Sequence, residues 1–314
     1  MPKLLVLGGT GFVGRALCNR WSAQHGGAAA ITVATRRLRN GSALRVTPLL
    51  HLVEANVHDE DTLARLLEGH DAVVNLIGVL HASPAGFEQA HAELPRRLAR
   101  ACAKAGVRRV IQVSALGADA QAPSHYLRSK AAGEEALRDA NLDLTIVRPS
   151  VVFGADDAFL NLFARMQAVL PLMAMAGVDA CMQPVWVQDL ASALVATLLD
   201  DETHGQVFEA VGPDVATLGD LVRLAGRLSG HPRPVFALPW VVARAQAWAM
   251  EFMPNPLLSR DALDSLRVPS VASGLYPTLE ALGIQPSSLA SVAPTYLGPQ
   301  GTPGFEARGR RRAS

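Results

Sequence analysis

The chain has 314 residues, 49% hydrophobic and 18% charged, with 29 Lys and Arg against 28 Asp and Glu for a net charge of +1. That length suits one large α/β domain or a domain with a smaller lobe, and the apolar content is ample for a core. The balanced charge argues against a nucleic-acid partner, and no apolar run reaches the ~18 residues of a membrane span.

The first predicted strand is Leu4–Leu7, an apolar run short enough to be buried on both faces. Glycines follow at Gly8, Gly11 and Gly14, with Gly9 as an extra, and Arg15–Gln24 continues with helical character. A strand, a glycine turn and a helix start in that order build a pyrophosphate cradle. The first glycine allows the tight turn, the second lets backbone approach the phosphates, and the third lets helix and strand pack closely. The phosphates then rest on free N–H groups at the helix N-terminus. Gly8, Gly9, Thr10, Gly11, Phe12, Val13 and Gly14 are therefore expected to hold a dinucleotide. This apolar start lacks the long core of a signal peptide.

The second strand, Ile31–Ala34, leads into Arg36 and Arg37 with no acidic residue. An acid after this strand reads the ribose 2′-hydroxyl of NAD, whereas an arginine accommodates the 2′-phosphate of NADP. Arg36 lies 22 positions after Gly14, and a guanidinium suits phosphate. NADP(H) is thus preferred, with NAD(H) as the alternative. After the third strand, Leu50–Glu54, Asn56 and Val57 are placed to reach the adenine edge. The helix Glu60–Leu67 and the strand Ala72–Ile77 follow, and Asn75 and Gly78 are expected on the nicotinamide side.

The helix Phe87–Ala105 precedes the strand Arg109–Val113, which ends at Ser114. The helix Tyr126–Ala140 then opens with Tyr126 and Lys130, four apart and so on one face. A tyrosine hydroxyl has a pKa near ~10, and an adjacent lysine cation, with the positive ring of the oxidised cofactor, favours its phenolate. Tyr126 is the candidate acid/base, Lys130 its tuner and a ribose ligand, and Ser114 the hydroxyl that polarises a substrate carbonyl. Glu134, one turn on, is placed to pair with Lys130. His81 and His125 lie near this site as lesser candidates for proton relay.

After the strand Leu144–Val147 the pattern loosens. Phe159–Pro184 is rich in methionine, suited either to an apolar substrate pocket or to core packing. A helix at Gln188–Leu199, a strand at Gln206–Val211, a helix at Thr217–Ser229 and a very apolar helix at Val241–Met253 complete the reading. The last is expected to pack under the lobe. Alternating strands and helices imply an α/β fold, a Rossmann-type doubly wound parallel sheet with a smaller C-terminal lobe. Residues 1–154 form the dinucleotide-binding domain and 155–297 the lobe, with about 185–212 returning to the sheet. Residues 298–314 read as a disordered basic tail. Cys18, Cys102 and Cys181 have no metal-ligand spacing, so no metal is expected, and they read as reduced and buried in a cytoplasmic compartment.

Gly8 to Gly14, Asn75 to Gly78, Ser114, Tyr126-x-x-x-Lys130, Arg148 to Gly154 and Gln183 to Asp189 together resemble the short-chain dehydrogenase/reductase superfamily in its extended, epimerase/dehydratase-like branch. The resemblance implies Pro149 and Val152 as further cofactor contacts. The runs Val113–Asp119, Tyr126–Glu134 and Arg148–Asp157 are similar to bacterial relatives of the nucleotide-binding alpha-subcomplex accessory subunit of respiratory complex I, over about residues 3–297. That resemblance implies bound NADPH, a link to ubiquinone or respiratory-membrane metabolism, and a place at the periphery of the inner membrane. Ser114 and Tyr126 are only 12 positions apart, about half the separation usual in sugar epimerases of this branch. The first expectation is thus an oxidoreductase acting on an apolar, quinone- or lipid-linked carbonyl or hydroxyl. A non-catalytic NADPH-binding accessory or assembly factor is the second, and a nucleotide-sugar epimerase or dehydratase the third.

Overall fold

The computed structural model describes residues 3–25, 30–252 and 258–298. The tail expected to be disordered therefore lies, from residue 299 on, outside the described residues. The described residues divide between two compact units. One is drawn from Met1–Pro149, Val187–Ala210 and Ala272–Gln285, the other from Ser150–Trp186, Val211–Val271 and Pro286–Ser314. The boundary expected at Gly154 falls at Pro149. Residues 272–285, expected in the lobe, belong with the sheet. The Pro277 carbonyl accepts from the Glu209 N–H at 2.9 Å, and the Glu209 carboxylate accepts from the Ser273 N–H at 2.7 Å and its hydroxyl at 2.8 Å. Glu209 is buried, and a buried carboxylate needs such partners.

In the first unit, β1 (Leu4–Leu7), β2 (Ile31–Thr35), β3 (Leu50–Glu54), β4 (Ala72–Asn75), β5 (Arg109–Val113) and β6 (Asp143–Pro149) join the strand Val207–Ala210 in one sheet. The order is Val207–Ala210, β6, β5, β4, β1, β2, β3, and every pair is parallel. Leu4 to Leu7 are wholly buried, as a central parallel strand covered on both faces must be. The order reverses between β1 and β4, where open sheets of this kind bind ligands at their carboxyl ends. Leu7 pairs with Ala34 and with Asn75, so the turn after β1 and the ends of β2 and β4 lie side by side.

Helix α1 (Phe12–His25) packs on the helix Val187–Leu199. Helix α2 (Glu60–Leu67) starts where the Asp59 carboxylate accepts from the Thr62 N–H at 2.9 Å. The stretch expected as one helix over 87–105 is α3 (Pro84–Glu88), a π-helical turn at Gln89–Glu93, and α4 (Leu94–Ala105). Leu94, Leu98, Ala101 and Cys102 form the buried face of α4, and each leucine contributes roughly 2 kcal/mol of burial. Helix α5 (His125–Arg138) packs on α4 and is capped by Ser124, whose hydroxyl accepts from the Leu127 N–H at 3.2 Å.

The second unit is built from short strand pairs and helices. Val152–Phe153 pairs with Val185–Trp186, Cys181–Met182 with Ala216–Thr217, and Met173–Met175 with Val235–Ala237. Met173 and Met182 are buried with Phe153, Leu160, Leu221, Val222 and Tyr296, so these two methionines pack a core. Asp157 is buried and accepts from the Gly154, Phe159 and Asn161 N–H groups and the Tyr296 hydroxyl, at 2.9 to 3.0 Å. The helix Trp240–Met250 packs in this unit on one face only: Ala243 and Ala247 are buried with Ala176 and Leu263, while Val241, Val242 and Trp248 are exposed. Cys181, expected to be buried, is exposed, whereas Cys18 and Cys102 are buried and free.

Candidate dinucleotide site at the strand ends

The turn after β1 leaves no room for side chains. Gly8 has φ +82°, and a Cβ there would sit 3.0 Å from the Leu76 carbonyl carbon. A Cβ on Gly14 would lie 2.5 Å from both the Gly8 oxygen and the Gly9 Cα. Glycine is required at both positions, by backbone conformation at the first and by close approach at the second. The Gly11 N–H donates to the Gly8 carbonyl at 3.0 Å, and α1 begins at Phe12 with no acidic residue in its first turn. Its positive end is therefore unopposed from within the helix. Gly9 and Gly14 are buried, Gly11 is exposed, and Gly8, Thr10, Phe12 and Val13 are half-buried.

At the ends of β2 and β3, Arg36 and Arg37 are exposed. Glu54, the acid nearest this loop, is committed to the Leu38 N–H at 3.1 Å. Asn56 is exposed and its side-chain oxygen accepts from the His58 N–H at 3.1 Å, while Val57 is buried. Arg97 of α4 donates to the His58 carbonyl at 3.0 Å. Burial and the charges of Arg97 and Arg36 hold the His58 imidazole below its ordinary pKa. Arg36 and Arg97 thus bring positive charge to the His58 loop. Arg97 and His58 went unnoticed in the sequence because nothing local marks a residue of α4 as a neighbour of the β3 loop.

At the end of β4, Asn75 is wholly buried, and its amide is spent on protein. Its nitrogen donates to Gln112 Oε1 at 2.9 Å and its oxygen accepts from the Ile77 N–H at 3.2 Å. It shapes the strand end, and the strand stops there rather than at Ile77. The backbone of Gly78 lies against Lys130, whose Nζ would be 3.3 Å from a Cβ at that position. Lys130 is buried and donates from Nζ to the Val113 carbonyl at 3.2 Å. Burial pulls its ammonium down to about 8, against the opposing pull of Glu134.

Tyr126 stands one turn before Lys130 on α5, with the Lys130 Nζ 6.0 Å from its ring centroid. Burial pushes its phenol up to about 12. At neutral pH the group is a phenol and a proton donor. Glu134 does not pair with Lys130. It is buried and accepts from Arg148 Nε at 2.9 Å and Nη2 at 2.6 Å, and from Arg138 at 3.0 Å.

Ser114 follows β5, and its N–H donates to the Val147 carbonyl at 2.8 Å. Its hydroxyl is buried with no hydrogen-bond partner among the described residues. A buried hydroxyl left so costs about 1–3 kcal/mol, which a ligand oxygen at that spot would recover. Pro149 ends β6 in the first unit and its carbonyl accepts from the Leu116 N–H at 3.0 Å; Val152 belongs to the second unit, paired with Val185. His81 and His125 are exposed. The histidine buried here is His91, in the π-helical turn, which the helical pattern of 87–105 concealed.

A parallel sheet with a glycine cradle at its switch point, and a Ser, Tyr and Lys set on the adjoining strand and helix, defines a dinucleotide-binding protein of the short-chain dehydrogenase/reductase type. The chain belongs to the NAD dependent epimerase/dehydratase family, whose model matches residues 4–210. It is similar to NADH dehydrogenase [ubiquinone] 1 alpha subcomplex subunit 9 of Arabidopsis thaliana, 32% identical over 93% of this chain and 76% of that protein. The Mus musculus counterpart is also 32% identical, over 76% of this chain and 64% of that protein, so the match spans just under two thirds of the mouse subunit. A ceramide reductase from Caulobacter vibrioides is 31% identical over 74% of this chain and 73% of that protein. Among solved structures, a nucleoside-diphosphate-sugar epimerase from Staphylococcus aureus shares the fold, with a TM-score of 0.69 at 17% identity over 92% of this chain and 98% of that one. No helix among the described residues is long and apolar enough to cross a membrane.

Proposed function

We propose that this chain is an oxidoreductase that binds NADP(H) in preference to NAD(H) and acts on an apolar carbonyl or hydroxyl, quinone- or lipid-linked. The observation that carries this reading is the Ser114 hydroxyl, buried and without a partner among the described residues, beside the strand end that Lys130 also touches. A buried hydroxyl with no protein partner is open to a ligand oxygen. The nicotinamide, when bound, supplies or takes the hydride. Ser114 donates a hydrogen bond to the substrate oxygen, and Tyr126, held as a phenol, donates the proton that oxygen needs on reduction. Lys130 holds the ribose hydroxyls next to Gly78. Residues Gly8 to Gly14 take the pyrophosphate, Asn56 and Val57 the adenine, and Arg36 and Arg37 the 2′-phosphate. Asn75 supports the nicotinamide side by shaping the β4 end, with Pro149 as a further contact. The ceramide reductase similarity supports a lipid-like substrate.

A second reading, a non-catalytic NADPH-holding accessory or assembly factor of respiratory complex I, is favoured by the similarity to subunit 9 over most of the chain. It places the protein at the inner membrane periphery, where the exposed Val241, Val242 and Trp248 would meet a partner. One experiment separates the two. Nucleotide is released from the purified protein and identified, and wild type, Tyr126→Phe and Arg36→Ala are assayed for nucleotide affinity and for oxidation of NADPH by quinones and long-chain ketones. The oxidoreductase reading expects exchangeable NADPH and turnover that Tyr126→Phe lowers at least a hundredfold without changing NADPH affinity. Tight NADPH that no acceptor oxidises, with cellular function surviving Tyr126→Phe, supports the accessory role. Failure to bind any dinucleotide overturns both.

A further inference from the structure

His91 sits in the π-helical turn between α3 and α4 and is buried. Its hydrogen bonds have a direction that the backbone dictates. The Val79 N–H donates to Nε2 at 3.0 Å, so that nitrogen carries no proton. The ring proton is then on Nδ1, which donates to the Ser129 hydroxyl at 2.9 Å. Ser129 in turn donates to the Tyr126 carbonyl at 2.8 Å. A continuous chain of donors therefore runs from the loop after β4, through His91, to the helical turn that carries Tyr126 and Lys130. The ring stacks on Phe87 at 5.8 Å and meets the Tyr126 ring edge-on at 5.4 Å. On the loop side, a Cβ at Gly78 would lie 3.6 Å from His91 Nε2 and 3.3 Å from Lys130 Nζ, so the same stretch of backbone is held against both.

We propose that His91 is a positioning residue, tying the Gly78–Val79 loop to the first turn of α5 and so setting where the Tyr126 hydroxyl and the Lys130 ammonium stand. The inference rests on the site reading above but not on turnover. His91 is not itself an acid or base there: burial and the Lys130 charge pull it down to about 3, so it stays neutral across the working pH range. A π-helical turn is a recurrent device for turning one side chain out of helical register, and here it aims the imidazole at the loop and α5 together.

The test needs no substrate. The chain has three lysines, Lys3, Lys104 and Lys130, so protein labelled with 13C at lysine Cε has few signals, and Lys130→Met assigns the one of interest. Wild type, His91→Phe, His91→Gln and Ser129→Ala are titrated by NMR, with thermal unfolding followed in parallel. Phenylalanine keeps the volume and deletes both hydrogen bonds, so an effect reports the lost tie rather than a hole. In wild type Lys130 is expected to titrate near 8. In His91→Phe and Ser129→Ala the turn loosens, the ammonium gains water, and the midpoint should climb by about one pH unit toward the ordinary lysine value. Glutamine, whose amide still accepts from Val79, should restore most of the wild-type midpoint. A filler role would lower the melting temperature and leave the Lys130 midpoint unmoved in both variants, and that result overturns the proposal. If His91→Phe does not fold, Ser129→Ala decides alone. Absence of turnover in wild type with a moved midpoint would sink the oxidoreductase reading and leave this one standing.

Discussion

Replacing Lys130 by methionine should make the protein more stable at neutral pH while weakening its binding of nucleotide. The ammonium is buried, it donates to one carbonyl, and the acid one turn away is already engaged by Arg148 and Arg138. Its pKa falls from an ordinary 10.5 to about 8 in the folded chain. At ~1.4 kcal/mol per pH unit that gap corresponds to about 3 kcal/mol by which folding disfavours the charged lysine. The sign follows from linkage. The unfolded chain binds this proton more tightly, so the penalty is fully present below pH 8, declines from 8 to 10.5 and is gone above. Methionine has similar length and no charge, and it forgoes one hydrogen bond worth about 1 kcal/mol. A net gain of about 2 kcal/mol is expected at pH 7, reversing to a small loss at pH 11. Urea unfolding of the two proteins at pH 7, 9 and 11 measures the difference, in which all other titrating groups cancel. NADPH titration by fluorescence should show at least tenfold weaker binding by the variant. A variant less stable than wild type at pH 7, with a difference that ignores pH, would show that Lys130 is a structural strut and refute the reasoning.

Arg36→Ala removes a charge-assisted contact worth about 1.5–3 kcal/mol, so NADPH affinity should fall ten- to a hundredfold with NADH affinity unchanged; equal losses for both by calorimetry would remove Arg36 from the 2′-phosphate site. Gly14→Ala puts a Cβ 2.5 Å from the Gly8 oxygen, and the forced backbone shift should abolish detectable nucleotide binding while leaving the far-ultraviolet dichroism native. Arg148→Met removes two of the three guanidinium hydrogen bonds to the buried Glu134 carboxylate, leaving Arg138 alone, and should cost about 1.5–3 kcal/mol by urea unfolding. Adding Glu134→Leu should recover most of that loss, and strictly additive losses would show that the pair is not coupled.

Much of this protein could be read along the chain, because the relevant physics is local. The run Leu4–Leu7 is too apolar for anything but a central strand, and the glycines behind it have one conformational use. The seven sheet strands follow from short apolar runs separated by helical periodicity, since a parallel sheet buried on both faces requires such runs. Tyr126 and Lys130 had to share a face because helical spacing puts them there. What the sequence could not decide were the relations between residues distant along it. The partner of Glu134 is Arg148 on β6 rather than Lys130, because a bidentate guanidinium outcompetes a lone ammonium that is itself held at a backbone carbonyl. The burial that raises the Tyr126 phenol is likewise a property of the closed chain, which helical spacing does not announce. Residues 272–285 belong to the first unit because Glu209 needed hydrogen-bond donors, a demand no local pattern announces. His91 carries no mark in its own helix; only the fold brings the Val79 amide and the Ser129 hydroxyl to its two nitrogens. Local propensity and periodicity thus determined the elements and the cofactor cradle. Burial and long-range hydrogen bonding, which exist only once the chain has closed on itself, determined which side chains stay charged and what each one holds.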